Sequence, residues 1–546
     1  MTLYDALTEY CSSDAYPFHM PGHKRRAAFL CDPARIDLTE IDGFDDLHHP
    51  AGILRDAQER AAQLYHSEET HFLVNGSTAG ILSAITAVCA PDTCLLMARN
   101  SHRSAFHGAA LARVKTSWLY PSGFHVGYPG PRSTAGKTND SGSPAAALQS
   151  GPIDPAQVER MLESTEHVSA IFLTSPTYDG VVSDVAQIAK IAHRRLIPLI
   201  VDEAHGAHFG MHPVFPKSSV ELGADLVIHS LHKTLPALTQ TALIHVNGPL
   251  VDRGALRRQL DIFQTSSPSY VLMASIDQCI SLLSSNGDAM FSAYAKRLAR
   301  FYRETKLSHL SLIRTDDPSR ILIRPPVPVS SPPPYPETGA VLSHQEAASP
   351  QPYPEMGSML SHQEAASPPP YPETGAVLPH QKAAFPQPYP EMDAIKLYQT
   401  LRKRFHLQPE MVSPLYVLML SSVCDDEDGF ARLTDALLTL DRESEGARPS
   451  DLCAIRPFAA EPGITPESCC TITQALEKQA EAVPFSESEG RISSEYLTLY
   501  PPGIPLLVPG ERIPAGLIRR ILSLKQHGYT LTGPEDHDIS MIRVIM

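Results

Sequence analysis

Short apolar runs, each long enough for one buried strand, alternate along this chain with segments patterned at helical spacing. That alternation constrains the fold more than any other feature of the 546 residues. A strand that is apolar on both faces needs cover on both sides, and a parallel pair needs a crossover, usually a helix, between its members. The pattern therefore predicts an α/β fold with a mainly parallel central sheet and flanking helices. The expected strands are His71 to Val74, Ala170 to Thr174, Ile197 to Val201 and Asp225 to His229. The expected helices run from Gly76-Ser77-Thr78 through Val88 and from Asp184 to His193. Farther on, Ile395 to Phe405 reads as a helix and Pro414 to Ser421 as an apolar strand, so a smaller α+β region with its own core closes the chain.

Two stretches interrupt the pattern. Pro121 to Pro155 is rich in Gly, Ser and Pro and reads as an extended surface loop. From Pro325 to Met392 proline is dense and the text repeats every 18 residues, with Tyr335, Tyr353, Tyr371 and Tyr389 each inside Pro-Tyr-Pro-Glu. Proline at this density removes backbone donors and fixes φ, so stacking into a solenoid core is not expected. The segment reads as a disordered or polyproline-like insertion, with a PxxP-type ligand for a partner domain as the alternative.

Composition narrows the partners. Lys+Arg is 45 against Asp+Glu 60, a net charge of −15, and no long basic run stands out, which argues against nucleic acid and anionic membranes. The nine cysteines are scattered without a Cys-x-x-Cys pair, so neither a disulfide framework nor a structural metal site is expected. Neither a signal-peptide pattern nor a membrane-spanning apolar run is visible, and the expected location is cytoplasmic.

In a sheet of this kind ligands sit beyond the carboxyl ends of the strands, and the residues there are polar. The first run leads into Asn75-Gly76-Ser77-Thr78-Ala79-Gly80, where small residues let N–H groups and hydroxyls approach a phosphate at a helix N-terminus. An ordinary turn and N-cap give the same letters. The run ending at Val201 continues into Asp202-Glu203-Ala204-His205-Gly206-Ala207-His208, and the next ends at Ser230-Leu231-His232-Lys233-Thr234. An acid at one strand end and a lysine past its neighbour can face one cleft. Asp202 is alternatively an N-cap, Lys233 a solvated loop charge, and Asp202, His205 and His208 an incomplete metal set.

Taken together, a phosphate cradle, a strand-end Asp and Ser-x-His-Lys in that order resemble fold-type I pyridoxal-phosphate enzymes. Further motifs narrow the resemblance: Pro17-Phe18-His19-Met20-Pro21-Gly22-His23-Lys24, Thr39-Glu40-Ile41 through Asp45-Asp46-Leu47-His48, Asn100-Ser101-His102-Arg103-Ser104, and Tyr500-Pro501-Pro502-Gly503-Ile504-Pro505 with Pro509-Gly510-Glu511. With these the chain resembles the ornithine/lysine/arginine decarboxylase family over nearly its whole length outside the two interruptions. The motifs begin close to residue 1, which the resemblance reads as a compact member without the N-terminal wing domain of the large inducible enzymes.

The resemblance implies pyridoxal 5'-phosphate as cofactor and the decarboxylation of arginine, lysine or ornithine to agmatine, cadaverine or putrescine. It makes Lys233 the lysine that holds the cofactor aldehyde and Asp202 the partner of the pyridine nitrogen. At an effective dielectric of 20 an ion pair about 4 Å apart is worth roughly 4 kcal/mol, enough to keep that nitrogen protonated. His102 matches the imidazole stacked on the cofactor ring, and His205 follows Asp202 in the family's Asp-x-Ala-His. Gly76, Ser77, Thr78, Ser230 and His232 belong to the phosphate contacts, Thr174 or Ser175 to the ring contacts, and Glu511 is the candidate reader of the substrate's distal cation. No metal is expected. The implied division is a major domain with its N-terminal segment over 1–310, a small α+β domain over 311–450 interrupted by the repeats at 325–392, and a C-terminal domain over 451–546. A homodimer or higher even oligomer is implied, with the active site at the subunit boundary. An aminotransferase or a carbon–sulfur lyase using the same Lys233 and Asp202, or a silent paralogue binding through its proline-rich repeats, are the competing readings.

Overall fold

The fold is described by a computed structural model covering residues 2–25, 33–122, 151–326, 393–413, 415–445, 465–500, 503–526 and 528–546. The repeats, apart from their first two prolines, and most of the Gly/Ser-rich stretch lie outside the described residues, as does Pro414.

In chain order the strands begin with β1 (Tyr16–Phe18), followed by β2 (Glu69–Leu73), β3 (Cys94–Ala98), β4 (Lys115–Leu119), β5 (Val168–Thr174), β6 (Leu199–Asp202), β7 (Leu226–Ser230) and β8 (Ala242–Val246). The last seven form one sheet in the order β2-β8-β7-β6-β5-β3-β4. Every residue of β3, β6, β7 and β8 is buried, as strands covered on both faces require. Alternation assigns the cover: Leu95, Met97, Phe172 and Ile200 pack into one core, while Leu96, Ile171, Leu173 and Val201 pack into another. At about 1.5–3 kcal/mol for each fully buried aliphatic side chain, these two layers hold the strand ends in place.

Pairing is parallel from β7 through β6, β5 and β3 to β4, but β8 runs antiparallel to both β7 and β2. The run forming β8 was not singled out in the sequence. Its reversal follows from the short Leu231–Thr241 connection, which leaves too little chain for a right-handed crossover. The expected helices form at Gly76–Val88 and Val185–His193, the second capped by Asp184, whose Oδ1 accepts from Gln187 N at 3.0 Å.

A second sheet is built from β9 (Ser311–Ile313) and β10 (Arg320–Arg324) before the repeats, and β12 (Met411–Val412) and β13 (Val417–Leu420) after them, in the order β12-β13-β10-β9. Between the repeats and β12 lie the helix Ala394–Lys403 and β11 (Leu407–Pro409), which pairs in parallel with β1. The C-terminal residues fold over a separate core that includes Phe485, Leu497, Leu507, Ile513, Leu517 and Ile521. Among the described residues no helix is long and apolar enough to cross a membrane.

Candidate active site

The carboxyl ends of β5, β6 and β7 open into a cavity of about 470 Å³. Gly76, Ser77, Thr78, His102, Thr174, Asp202, His205, Ser230, His232 and Lys233 all line it. Residues named in five separate stretches of sequence thus share one space, because parallel strands deliver their C-terminal ends to the same edge.

At one end of the cavity the helix Gly76–Val88 begins without any side-chain cap. Its first-turn N–H groups stand beside the hydroxyls of Ser77 and Ser230, which bond to each other. Gly76 takes φ +73°, which a β-carbon would strain. His232 Nδ1 lies 2.9 Å from Thr241 O. A carbonyl can only accept, so Nδ1 carries the proton, and burial pushes the ring's pKa down to about 4. An uncapped helix start with clustered hydroxyls is a ready anion cradle.

Asp202 ends β6 and is 3% exposed. Its Oδ1 accepts from Ala204 N at 3.1 Å, closing a local turn; no helix follows, so the N-cap alternative is set aside. Burial pushes its pKa up, and Lys233 is the cation that pulls it back. Lys233 sits in the single turn Leu231–Thr234 after β7 with its Nζ 3.0 Å from His205 Nε2. Desolvation lowers its pKa, Asp202 and Glu410 oppose that shift, and Arg320 adds to it. The lysine is therefore a cavity group with a weakened hold on its proton and not a solvated loop charge. His205 is pushed well below its ordinary value by burial and by Lys233, and the Tyr178 ring meets its ring edge-on at 4.6 Å. Arg320, fully buried in β10, donates from Nη2 to His205 O at 2.7 Å.

His102 caps the helix Arg103–Leu111, with Nδ1 3.3 Å from Ser104 N. Burial pushes its pKa down to about 3, so the ring is neutral at ordinary pH. Gly503 packs over the ring edge: a β-carbon there would lie 3.3 Å from His102 Cδ2, and φ is +93°.

Two expectations are corrected and one alternative is set aside. Ser175 does not line the cavity: it follows Thr174 on the opposite side of the chain, and its Oγ accepts from Ser183 N at 3.1 Å. Glu511 does not line it either. It is 1% exposed, and its Oε2 accepts from Arg99 Nη2 at 3.2 Å and from Val508 N at 2.9 Å. Its place is the joint between the end of β3 and the C-terminal region. The incomplete metal set dissolves because His208 turns away from the cavity, its Nε2 3.2 Å from Asp317 Oδ1.

The cavity also contains residues that strand-end reasoning missed. Glu410 enters between β11 and β12. Its Oε2 accepts from Met20 N at 2.9 Å, and its Oε1 accepts from the Tyr178 hydroxyl. Met20, Tyr500 and Ile504 complete that wall. Met20, Tyr500 and Ile504 stood inside the quoted motifs, whereas Glu410 carried no local signal.

Sheet order, strand-end acid and post-strand lysine define a fold-type I pyridoxal-phosphate enzyme. Family models for the Orn/Lys/Arg decarboxylase major domain and C-terminal domain match residues 1–324 and 455–534. The chain belongs to the Orn/Lys/Arg decarboxylase family and is a decarboxylase. It is 30% identical to YaaO of Bacillus subtilis, a protein described as uncharacterized, over 96% of this chain and 95% of that one. The arginine decarboxylase of Bacillus anthracis is 26% identical over 100% of this chain and 97% of its own. The fold superposes on the constitutive lysine decarboxylase of Escherichia coli with a TM-score of 0.65 at 18% identity, covering 100% of this chain and 81% of that one.

Proposed function

We propose that the chain decarboxylates a basic amino acid on pyridoxal phosphate, and that Glu410 reads the substrate's distal cation. One observation carries the reading of Glu410. Of the described residues lining the cavity only Asp202 and Glu410 are acids, and Asp202 lies at the strand ends beside Lys233 while Glu410 stands on the wall contributed by β1, β11 and β12. Glu410 accepts one bond at each oxygen, so each oxygen keeps a free lone pair for an ammonium or a guanidinium.

The residues present fit the cofactor. The uncapped helix start with Ser77, Thr78 and Ser230 takes the phosphate, and His232 joins them as a donor once the phosphate dianion raises its pKa. Asp202 would hold the ring nitrogen in its protonated form, a buried carboxylate being the natural partner of that charge. Pyridoxal phosphate, when bound, supplies an electron sink for the pair released as carbon dioxide leaves. Lys233 would hold its aldehyde, a task suited to an amine whose pKa burial has lowered. The Nζ and Nε2 atoms of Lys233 and His205, 3.0 Å apart, hold a proton close to the reacting centre. Neutral His102 would cover the ring without placing a second cation beside it.

The division of the chain into 1–310, 311–450 and 451–546 is supported by the separate sheet of β9, β10, β12 and β13 and by the C-terminal core. A homodimer or higher even oligomer accords with the apolar side chains of Ile41, Phe44 and Ile53 left in solvent, 50%, 41% and 52% exposed. The test of function is incubation of the purified protein with cofactor and arginine, lysine or ornithine. Carbon dioxide with an equal amount of agmatine, cadaverine or putrescine is expected from one of the three. An α-keto acid in place of the amine, or no turnover of any, overturns the reading.

A further inference from the structure

The segment from Pro17 to Lys24 runs from β1, through the cavity wall, to the turn that carries Lys233. Met20 N reaches Glu410. Two residues later Gly22 N donates to His232 O at 2.7 Å, and Gly22 O accepts from Ser422 Oγ at 2.6 Å. A β-carbon on Gly22 would lie 2.7 Å from both Leu235 N and the Thr234 carbonyl carbon, closer than such contacts occur. The strap's backbone therefore rests directly on the backbone of the lysine turn, and only hydrogen fits between them.

Lys24 closes the strap. It is 6% exposed, and its three ammonium protons go to Pro17 O at 2.9 Å, His19 O at 3.0 Å and Leu420 O at 2.8 Å. Two of these carbonyls are the strap's own and the third belongs to β13. With every donor taken, this lysine has none left for a cofactor phosphate. Its position serves geometry: it folds the strap into a loop and fastens that loop to the second sheet.

We propose that Pro17–Lys24 is a positioning strap for Lys233, with Gly22 as its seat on the lysine turn and Lys24 as its anchor on β13. Lys233 and Glu410, which line the same cavity, are thereby held in register by one continuous segment. The inference rests on the reading of Lys233 as the cofactor lysine.

The test uses the full-length protein loaded with pyridoxal phosphate, and reads the pH midpoint of the visible absorbance of the lysine-bound cofactor alongside kcat and KM. Gly22→Ala forces Thr234 and Leu235 to move. It is expected to shift the midpoint by about half a pH unit or more and to lower kcat about 10- to 100-fold, in line with the cost of sub-ångström to ångström misplacement, with KM changed much less. Ser422→Ala removes the hydrogen bond to Gly22 O and the one that Ser422 Oγ accepts from Cys424 N, and adds no bulk against the lysine turn; a smaller shift in the same direction is expected. A parent midpoint and parent kcat in folded Gly22→Ala, with only the melting temperature lowered, would show a structural turn and overturn the proposal. Should Gly22→Ala not fold, the same parent values in Ser422→Ala overturn it. Failure of the underlying reading looks different, since Lys233→Ala would then keep the visible absorbance.

Discussion

Lys233 and Asp202 stand at the ends of the neighbouring strands β7 and β6, whereas Glu410, Met20 and Tyr500 reach the same cavity from three segments far apart in the chain. The first side is fixed by the central sheet: each functional residue directly follows a fully buried apolar run, so the burial that holds the strand also aims the side chain. The second side depends on the pairing of β1 with β11 and on the docking of the C-terminal region through Arg99 and Glu511. The difference suggests a division of labour, with the chemistry common to such enzymes on the sheet side and the reading of the substrate's far end on the assembled wall.

The largest effects should fall on the sheet side. Lys233→Ala is expected to abolish turnover and the visible absorbance together, because no other amine lines the cavity among the described residues. Retention of that absorbance would break the comparison at its base. Asp202→Asn should keep cofactor yet lose about a thousandfold in kcat, the rate equivalent of a roughly 4 kcal/mol ion pair. Undiminished decarboxylation in this variant removes Asp202 from the ring nitrogen.

Changes on the assembled wall should act on binding. Glu410→Gln replaces a charge-assisted contact by a neutral one, worth about 1.5–3 kcal/mol, so KM should rise about 10- to 100-fold with kcat altered less. A fall confined to kcat would move Glu410 from substrate reading to the chemical step. Glu511→Gln leaves Arg99 buried against a neutral amide, and its effect should appear in stability, with a loss of up to about 3–5 kcal/mol if the guanidinium stays unpaired. Turnover of the folded fraction should change only a few-fold, through the loop bearing His102; a KM effect equal to that of Glu410→Gln would restore Glu511 as a substrate contact.

The smallest effect is expected from the repeats. The described chain stops two residues past β10 and resumes at Asp393, whose carboxylate caps the helix Ala394–Lys403. Lengthening a short connection there by about four doublings costs about 2.5 kcal/mol of closure entropy at roughly 0.6 kcal/mol each. Replacing Pro325 to Met392 by a short Gly/Ser linker should leave cofactor binding and decarboxylation within a few-fold. A linker variant that binds cofactor but has lost turnover would assign the segment a regulatory role.

The sequence alone determined the sheet side of this protein. Apolar runs of strand length announce buried strands, and with parallel crossovers the next residues must lie on one edge, so Asp202, Ser230, His232 and Lys233 could be named before any coordinate. It did not determine which way β8 runs, since direction depends on loop length rather than on the run itself. Nor could it tell Glu410 from any other surface glutamate, or Glu511 from a substrate contact. Glu410 becomes a cavity acid only when β11 pairs with β1, and Glu511 is withdrawn from the cavity only when Arg99 meets it across the joint between two cores. Both outcomes rest on contacts between residues hundreds of positions apart, to which local pattern is blind because periodicity reports which face of an element is buried and never what it is buried against.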